Sequence, residues 1–408
     1  MGTRPDIPAL TGLRGVAALF VVINHYAPGA APFALATAPA WLRTLLATSD
    51  YGMTLFFTLS GFVIAYNYLD LPWQTATLRS LATFGWARFS RLYPLLFLFM
   101  LVHIDWSSLD AWTAMHFAGV ETWITIKHGG ALPAAGRFHV SWSISTEFGL
   151  YVCFAAVMVL AATLPMIGRR VLMVICGGYL AAAILVVMSA SLQEAIMARL
   201  PMLMETFDEQ ERWHWLMYLG PYYRIVEFAL GAGAAWMVTR RSQWLKRGHL
   251  GAVAIVCIVL LVGLQAQHNF GTPIPITRSE QQLLSSLLFA TIMLGCHLEH
   301  PVARILALSP LIFVGEVSYS LYLFHFSAAS LASLYGSTAA YDPSMLPLFV
   351  CRFVLGLLFA LALAAGLYRL VELPCKTVLR RLASRIASRA TTAPMSHAAL
   401  VEQLSSTS

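Results

Sequence analysis

The chain has 408 residues, 59% of them hydrophobic and only 11% charged, with a mean hydropathy of +0.71. Soluble globular domains carry about 25% charged residues, so this composition excludes a fold that meets water over its whole surface. The formal net charge of +7 comes with no basic, aromatic-studded soluble module, which excludes nucleic acid as a partner and leaves topology and anionic lipid to account for it.

A bilayer span needs about 20 mostly apolar residues. In chain order, such runs predict spans near 13–30, 51–70, 91–104, 142–165, 171–190, 221–238, 249–266, 282–298, 310–332 and 345–369. The expected fold is therefore all-α, a polytopic integral membrane helical bundle of about ten transmembrane helices. The third run is the shortest, from Leu92 to Val102, and ends against Arg91. Residues 105–141 hold Asp105, Asp110, Glu121, Lys127, Gly129, Gly130 and Pro133, and read as an external loop that dips back toward the membrane.

With ten spans and an inside N-terminus, 18 of the 26 Lys and Arg residues fall on inner segments, so both termini are expected to be cytoplasmic. A cleavable signal peptide is the alternative for the first run, and Asn24 and His25 inside that run speak against it. The six cysteines show no CxxC spacing and imply neither a disulfide framework nor a metal site. Residues 1–380 form the membrane domain, and 381–408 a cytoplasmic tail, basic at first and then rich in Ser, Thr and Ala, as disordered segments are.

Function has to be sought in polar groups inside the apolar runs, where a central charge costs roughly 2.5–3.5 kcal/mol. The first run carries Arg14 and, eleven positions later, His25. Eleven residues at about 100° each return to within ~20° of the same helix face, so the two are expected to face one cavity. Alone, Arg14 is equally accounted for by lipid phosphate, and His25 by a backbone carbonyl. Arg88 and Arg91, three apart on one helix face, suit bidentate binding of phosphate oxygens, or equally lipid headgroups.

Entering the fourth run, Ser143, Glu147 and Tyr151 recur every four residues behind His139 and Trp142. A carboxylate there could orient a histidine, contact a sugar hydroxyl or pair with an arginine. Near the end, Ser318 and His325 share a face, and Glu372 stands before Pro374, expected to end a helix. Tryptophans and tyrosines crowd the outer segments, as sugar-stacking rings or as an ordinary interfacial belt.

Taken in this order, these segments resemble the acyltransferase 3 family of bacterial membrane O-acyltransferases acting on surface glycans. The likeness runs over about residues 8–380 and rests on Arg14 with His25, Arg88 with Arg91, Trp142 and Ser143 followed by Glu147, and the SYSLYLFH and VELP segments. It implies a ten-helix enzyme of the bacterial inner membrane that passes an acyl group, commonly acetyl from acetyl-CoA, to a carbohydrate acceptor across the membrane. It implies His25 as the principal catalytic residue, with Glu147 beside it, and Arg14, Arg88 and Arg91 at the donor. Trp142, Ser143, Tyr151, His325 and Glu372 would support them. No permanently bound cofactor and no metal are expected; acyl-CoA is a co-substrate, and polysaccharide-biosynthesis proteins are candidate partners. A transporter or flippase for a glycan-related substrate, whose path Arg, His and Glu would line, is the rival class, and a pH sensor built on His25 and His325 a further one.

Overall fold

The computed structural model describes residues 4–47, 51–107, 109–124, 138–199, 208–240, 247–270, 277–296 and 300–392. Among these residues the chain is helical, with no strand. The first half comprises α1 (Pro8–Ala30), α2 (Ala40–Ala47), α3 (Gly52–Tyr68), α4 (Thr77–His103), α5 (Ala111–Ala118), α6 (Trp142–Thr163), α7 (Met166–Met188), α8 (Ala190–Arg199) and α9 (Glu209–His214). The second comprises α10 (Pro221–Arg240), α11 (Arg247–Phe270), α12 (Arg278–Cys296), α13 (Pro301–Leu306), α14 (Ser309–Glu316), α15 (Ser318–Leu331), α16 (Leu346–Leu367) and α17 (Leu373–Thr392). The expected tail beyond residue 392, and residues 125–137 of the expected dipping loop, lie outside the described residues.

This is an integral membrane protein. Helices α1, α6, α7 and the continuous stretch Pro343–Ala383 are long and apolar enough to cross a bilayer, and the bent pair α14–α15 makes a fifth candidate. Each of the other five expected runs is also helical, and among the described residues Ala252–Leu264 of α11 is a shorter apolar stretch. Outward faces are apolar in both groups: Leu101 of α4 and Val259 of α11 are exposed, as are Val152 of α6, Val174 of α7 and Leu355 of α16, in the manner of lipid-facing side chains.

Three expected boundaries are corrected. The third run is no short segment from 91 to 104, because α4 begins at Thr77 and continues through Arg88 and Arg91. Arg88 is accommodated within the bundle by the Tyr68 hydroxyl, which its Nη2 meets at 2.7 Å. The run 310–332 is not one straight span: α14 and α15 meet at 74° around Val317, where the Ser318 hydroxyl donates to the Gly315 carbonyl at 2.8 Å. Nor does Pro374 end a helix. A wide π turn over Tyr368–Glu372 precedes it and displaces the backbone that its ring would otherwise strike, so α17 continues.

Backbones meet closely at two crossings. A Cβ at Gly61 would collide with the Phe228 carbonyl and one at Gly231 with the Thr58 carbonyl, so α3 and α10 touch backbone to backbone. Gly15 and Gly315 do the same for α1 and α14. In lipid, helices gain little from hydrophobic burial against each other, and close packing of small residues does more of the work.

Candidate active site

Two cavities between the helices have Met53 in common among their lining residues. The inner cavity, about 90 Å³, is bordered by Arg14 from α1, Arg88 and Arg91 from α4, and Ser143, Glu147 and Tyr151 from α6. The predicted four-residue stripe of α6 thus faces the predicted arginines. Ser60 donates to Glu147 Oε1 at 2.7 Å, and Tyr151 donates to the same oxygen. Arg88 stacks 5.0 Å over the Tyr68 ring and 5.9 Å over the Tyr151 ring, while its buried Nε has no partner. Among the described residues no carboxylate forms an ion pair with Arg14, Arg88 or Arg91. Three guanidiniums therefore face one carboxylate, and the cavity has capacity for an anion.

The outer cavity is larger, about 410 Å³, and contains His25 together with Asn24, Tyr51, Thr54, Trp213 and Tyr218. His25 is exposed to it, whereas the next residue, Tyr26, is fully buried and donates to the His325 carbonyl at 2.7 Å. His25 Nδ1 lies 2.9 Å from His325 Nε2, and His325 Nδ1 lies 2.6 Å from the Tyr322 carbonyl. A carbonyl only accepts, so His325 Nδ1 carries hydrogen, and in the neutral pair its Nε2 must accept from His25 Nδ1. This leaves His25 Nε2 with a free lone pair. Phe326 holds the group in place, with its ring centroid 4.6 Å from His25, 4.4 Å from His325 and 4.3 Å from His139.

The profile of a family described as an acyltransferase domain matches residues 7–369. The chain belongs to the acyltransferase 3 family. It is similar to the acyltransferase MdmB of Streptomyces mycarofaciens, with 28% identity over 399 residues that cover 92% of this chain and 93% of the relative. No solved structure matches the chain.

In this acyltransferase Arg14 and His25 share a helix but not a cavity, contrary to the single cavity expected from their spacing. The wall between the two cavities comes from other elements. Phe57 belongs to the inner cavity and Tyr218 to the outer, and Trp142 packs on both, 6.3 Å from Phe57 and 5.1 Å from Tyr218. Glu147 consequently sits with the arginines and not beside His25. His325 reaches the site through His25, while Ser143 borders the inner cavity itself and donates to the hydroxyl of Tyr322, a second lining residue, at 2.6 Å. Glu372 borders neither cavity and accepts from Ser320 at 2.7 Å.

Sequence reasoning missed the ion pair in that wall. Arg224 counts as one more outer basic residue in the charge tally, yet it is wholly buried and bonded to Glu227 at 2.8 Å. Its guanidinium lies between the rings of Tyr218 and Phe57, 4.3 and 4.9 Å away. The available signal was an Arg and a Glu three apart inside an apolar run. The polar row of α12, Ser279, Gln281, Gln282 and Ser285, was missed too, although its spacing puts it on one helix face.

Proposed function

We propose that this protein is an O-acyltransferase that takes an acyl group, acetyl in the simplest case, from cytoplasmic acyl-CoA and places it on a hydroxyl of an extracytoplasmic carbohydrate. The observation that carries the reading is the pairing of a cavity rich in guanidinium with a cavity bordered by His25, whose Nδ1 is engaged by His325, the two sharing Met53. In this reading all ten helical runs span the bacterial inner membrane with both termini in the cytoplasm. The arginine end of α1 then faces the acyl-CoA pool, and His25 lies ~16 Å deeper.

Coenzyme A is a polyphosphate anion. Arg14, Arg88 and Arg91 would hold its phosphates by charge-assisted bonds, and the pantetheine arm would pass the flexible Met53 side chain toward His25. As the acceptor oxygen attacks the thioester carbon, its proton passes to His25 Nε2. The C–O bond forms, the C–S bond breaks, and the imidazolium returns its proton to the departing thiolate, giving the ester and the free thiol. His325 fixes the tautomer that makes this transfer possible. Glu147 orders the inner cavity through Ser60 and Tyr151.

The test is transfer of radiolabelled acetyl from acetyl-CoA by the full chain reconstituted in vesicles. His25→Ala and His25→Gln should bind acetyl-CoA but transfer at least ~100-fold more slowly, the lower end of general-base contributions. Undiminished transfer in both variants would overturn the role of His25. Transfer that needs no acyl-CoA would overturn the donor.

A further inference from the structure

We infer that the outer cavity selects an uncharged, hydroxyl-bearing ring compound as acceptor, and that Gln282 is the residue that enforces the choice. The inference rests on the acyl-transfer reading above and deepens it. Among the described residues, none of those bordering this cavity is Asp, Glu, Lys or Arg, although charged side chains lie close behind it. Hydroxyls, carboxamides, the imidazoles of His25 and His214 and the rings of Tyr51, Trp213 and Tyr218 make up its polar and aromatic surface. At about 410 Å³ it falls within the ~300–1,000 Å³ of small-molecule sites.

Gln282 is fixed from behind. Its Nε2 donates to Glu227 Oε1 at 2.8 Å, and that same oxygen accepts from Arg224 Nη1, also at 2.8 Å. Arg224 is held in turn by the Tyr218 carbonyl, 2.8 Å from its Nε. A carboxylate paired to a guanidinium accepts only, so the carboxamide of Gln282 cannot reverse without setting oxygen against oxygen. Its Oε1 is therefore committed to accepting and is available to the cavity that Gln282 borders. There it would take the hydrogen of a substrate hydroxyl and repel the oxygens of a carboxylate or phosphate. Ser285, one turn further along α12, spends its hydroxyl hydrogen on the Gln282 carbonyl at 2.9 Å and likewise keeps lone pairs for accepting. A buried anion would find no lysine or arginine among the described lining residues to offset its dehydration.

The experiment offers the reconstituted full chain, with acetyl-CoA, a panel of methyl hexopyranosides and their charged counterparts, the hexuronates and hexose 6-phosphates. The uncharged members should be acetylated and the charged ones not. Gln282→Leu should raise KM for the uncharged acceptors about two- to tenfold, the worth of one neutral hydrogen bond, with KM for acetyl-CoA unmoved. It should also narrow the preference for uncharged over charged acceptors, a change that a merely structural role would not produce. Equal use of charged acceptors by the wild type would overturn the proposal, as would a Gln282→Leu variant that shifts both KM values alike. If no glycoside is acetylated while His25-dependent hydrolysis of acetyl-CoA persists, the acceptor class is wrong and the acyl-transfer reading stands. If acetyl-CoA is not consumed at all, the reading itself fails.

Discussion

Replacing His325 with Phe tests whether the second histidine acts only through the first. His325 is fully buried among aromatic rings, so Phe fits the site in size and polarity while removing the nitrogen that accepts from His25 Nδ1. Without that acceptor the tautomer with hydrogen on Nε2, whose ring offers no lone pair to the acceptor hydroxyl, gains in population. One hydrogen bond between neutral groups contributes about 0.5–1.5 kcal/mol, so the productive tautomer should fall about two- to tenfold in population. In the vesicle assay kcat should drop by that factor, with KM for acetyl-CoA unchanged. His325→Gln, whose side-chain oxygen accepts the same hydrogen, should recover most of it. Wild-type turnover in His325→Phe would remove the tautomer argument. A loss as deep as that of His25→Ala would refute it from the other side, because His325 would then take part in the chemistry directly.

Arg88→Lys keeps the charge but loses the planar fork, and should weaken acetyl-CoA binding about tenfold to a hundredfold, the worth of one charge-assisted contact of ~1.5–3 kcal/mol; unchanged binding would make Arg88 a topological anchor. Arg224→Met leaves Glu227 buried without its cation and should destabilise the fold by about 3–5 kcal/mol, while Arg224→Met with Glu227→Leu should recover most of that in thermal unfolding; no recovery would mean the loss is one of packing. Burial raises Glu121, in the segment between α5 and α6, to about 8 although Ser141 donates to it at 2.8 Å. A raised carboxyl favours folding in its protonated form, so this contribution is complete below about 4.5 and is lost as pH rises through about 8. Glu121→Gln should therefore gain on the wild type in melting temperature between pH 5 and pH 9, and a constant difference would show that the carboxyl is ionised throughout.

The helical class and most of the inner cavity were legible because charged residues inside apolar runs are costly and therefore informative. Arg88 with Arg91 and Glu147 with Tyr151 share the helix faces that their spacing indicated, whereas Arg14 and Glu147, both expected to face His25, border the other cavity. The division between the cavities was not legible, because it depends on Met53, Phe57, Trp142 and Tyr218, apolar or aromatic residues that look like any others in a membrane run. Arg224 was hidden for a related reason: counting basic residues for topology assigns each one to a surface, and nothing in that count asks whether a carboxylate three positions away has drawn it inside. The true length of α4 was masked because a hydropathy reading stops at charge. The partners that keep Arg88 buried, Tyr68 and Tyr151, stand 20 and 63 residues away.

The glycine crossings explain how such a site stays in register where helices gain little from hydrophobic burial. Ser60, which bonds Glu147, adjoins Gly61, and the Arg224–Glu227 pair lies one to two turns before Gly231 on α10. Arg14 lies between Gly12 and Gly15, and Gly315 marks the corner from which α15 departs toward His25. Each crossing sets backbone against backbone, so the spacing of the helices depends on peptide groups and not on side chains that can change rotamer. A contact such as the 2.9 Å bond from His25 to His325 has only a few tenths of an ångström of slack, and a misplacement of about 1 Å in a reacting group can cost ~100-fold in rate. One added methyl group at Gly231 or Gly315 would force the backbones apart by more than that bond tolerates. The precision of the chemistry is therefore set at residues that touch neither substrate.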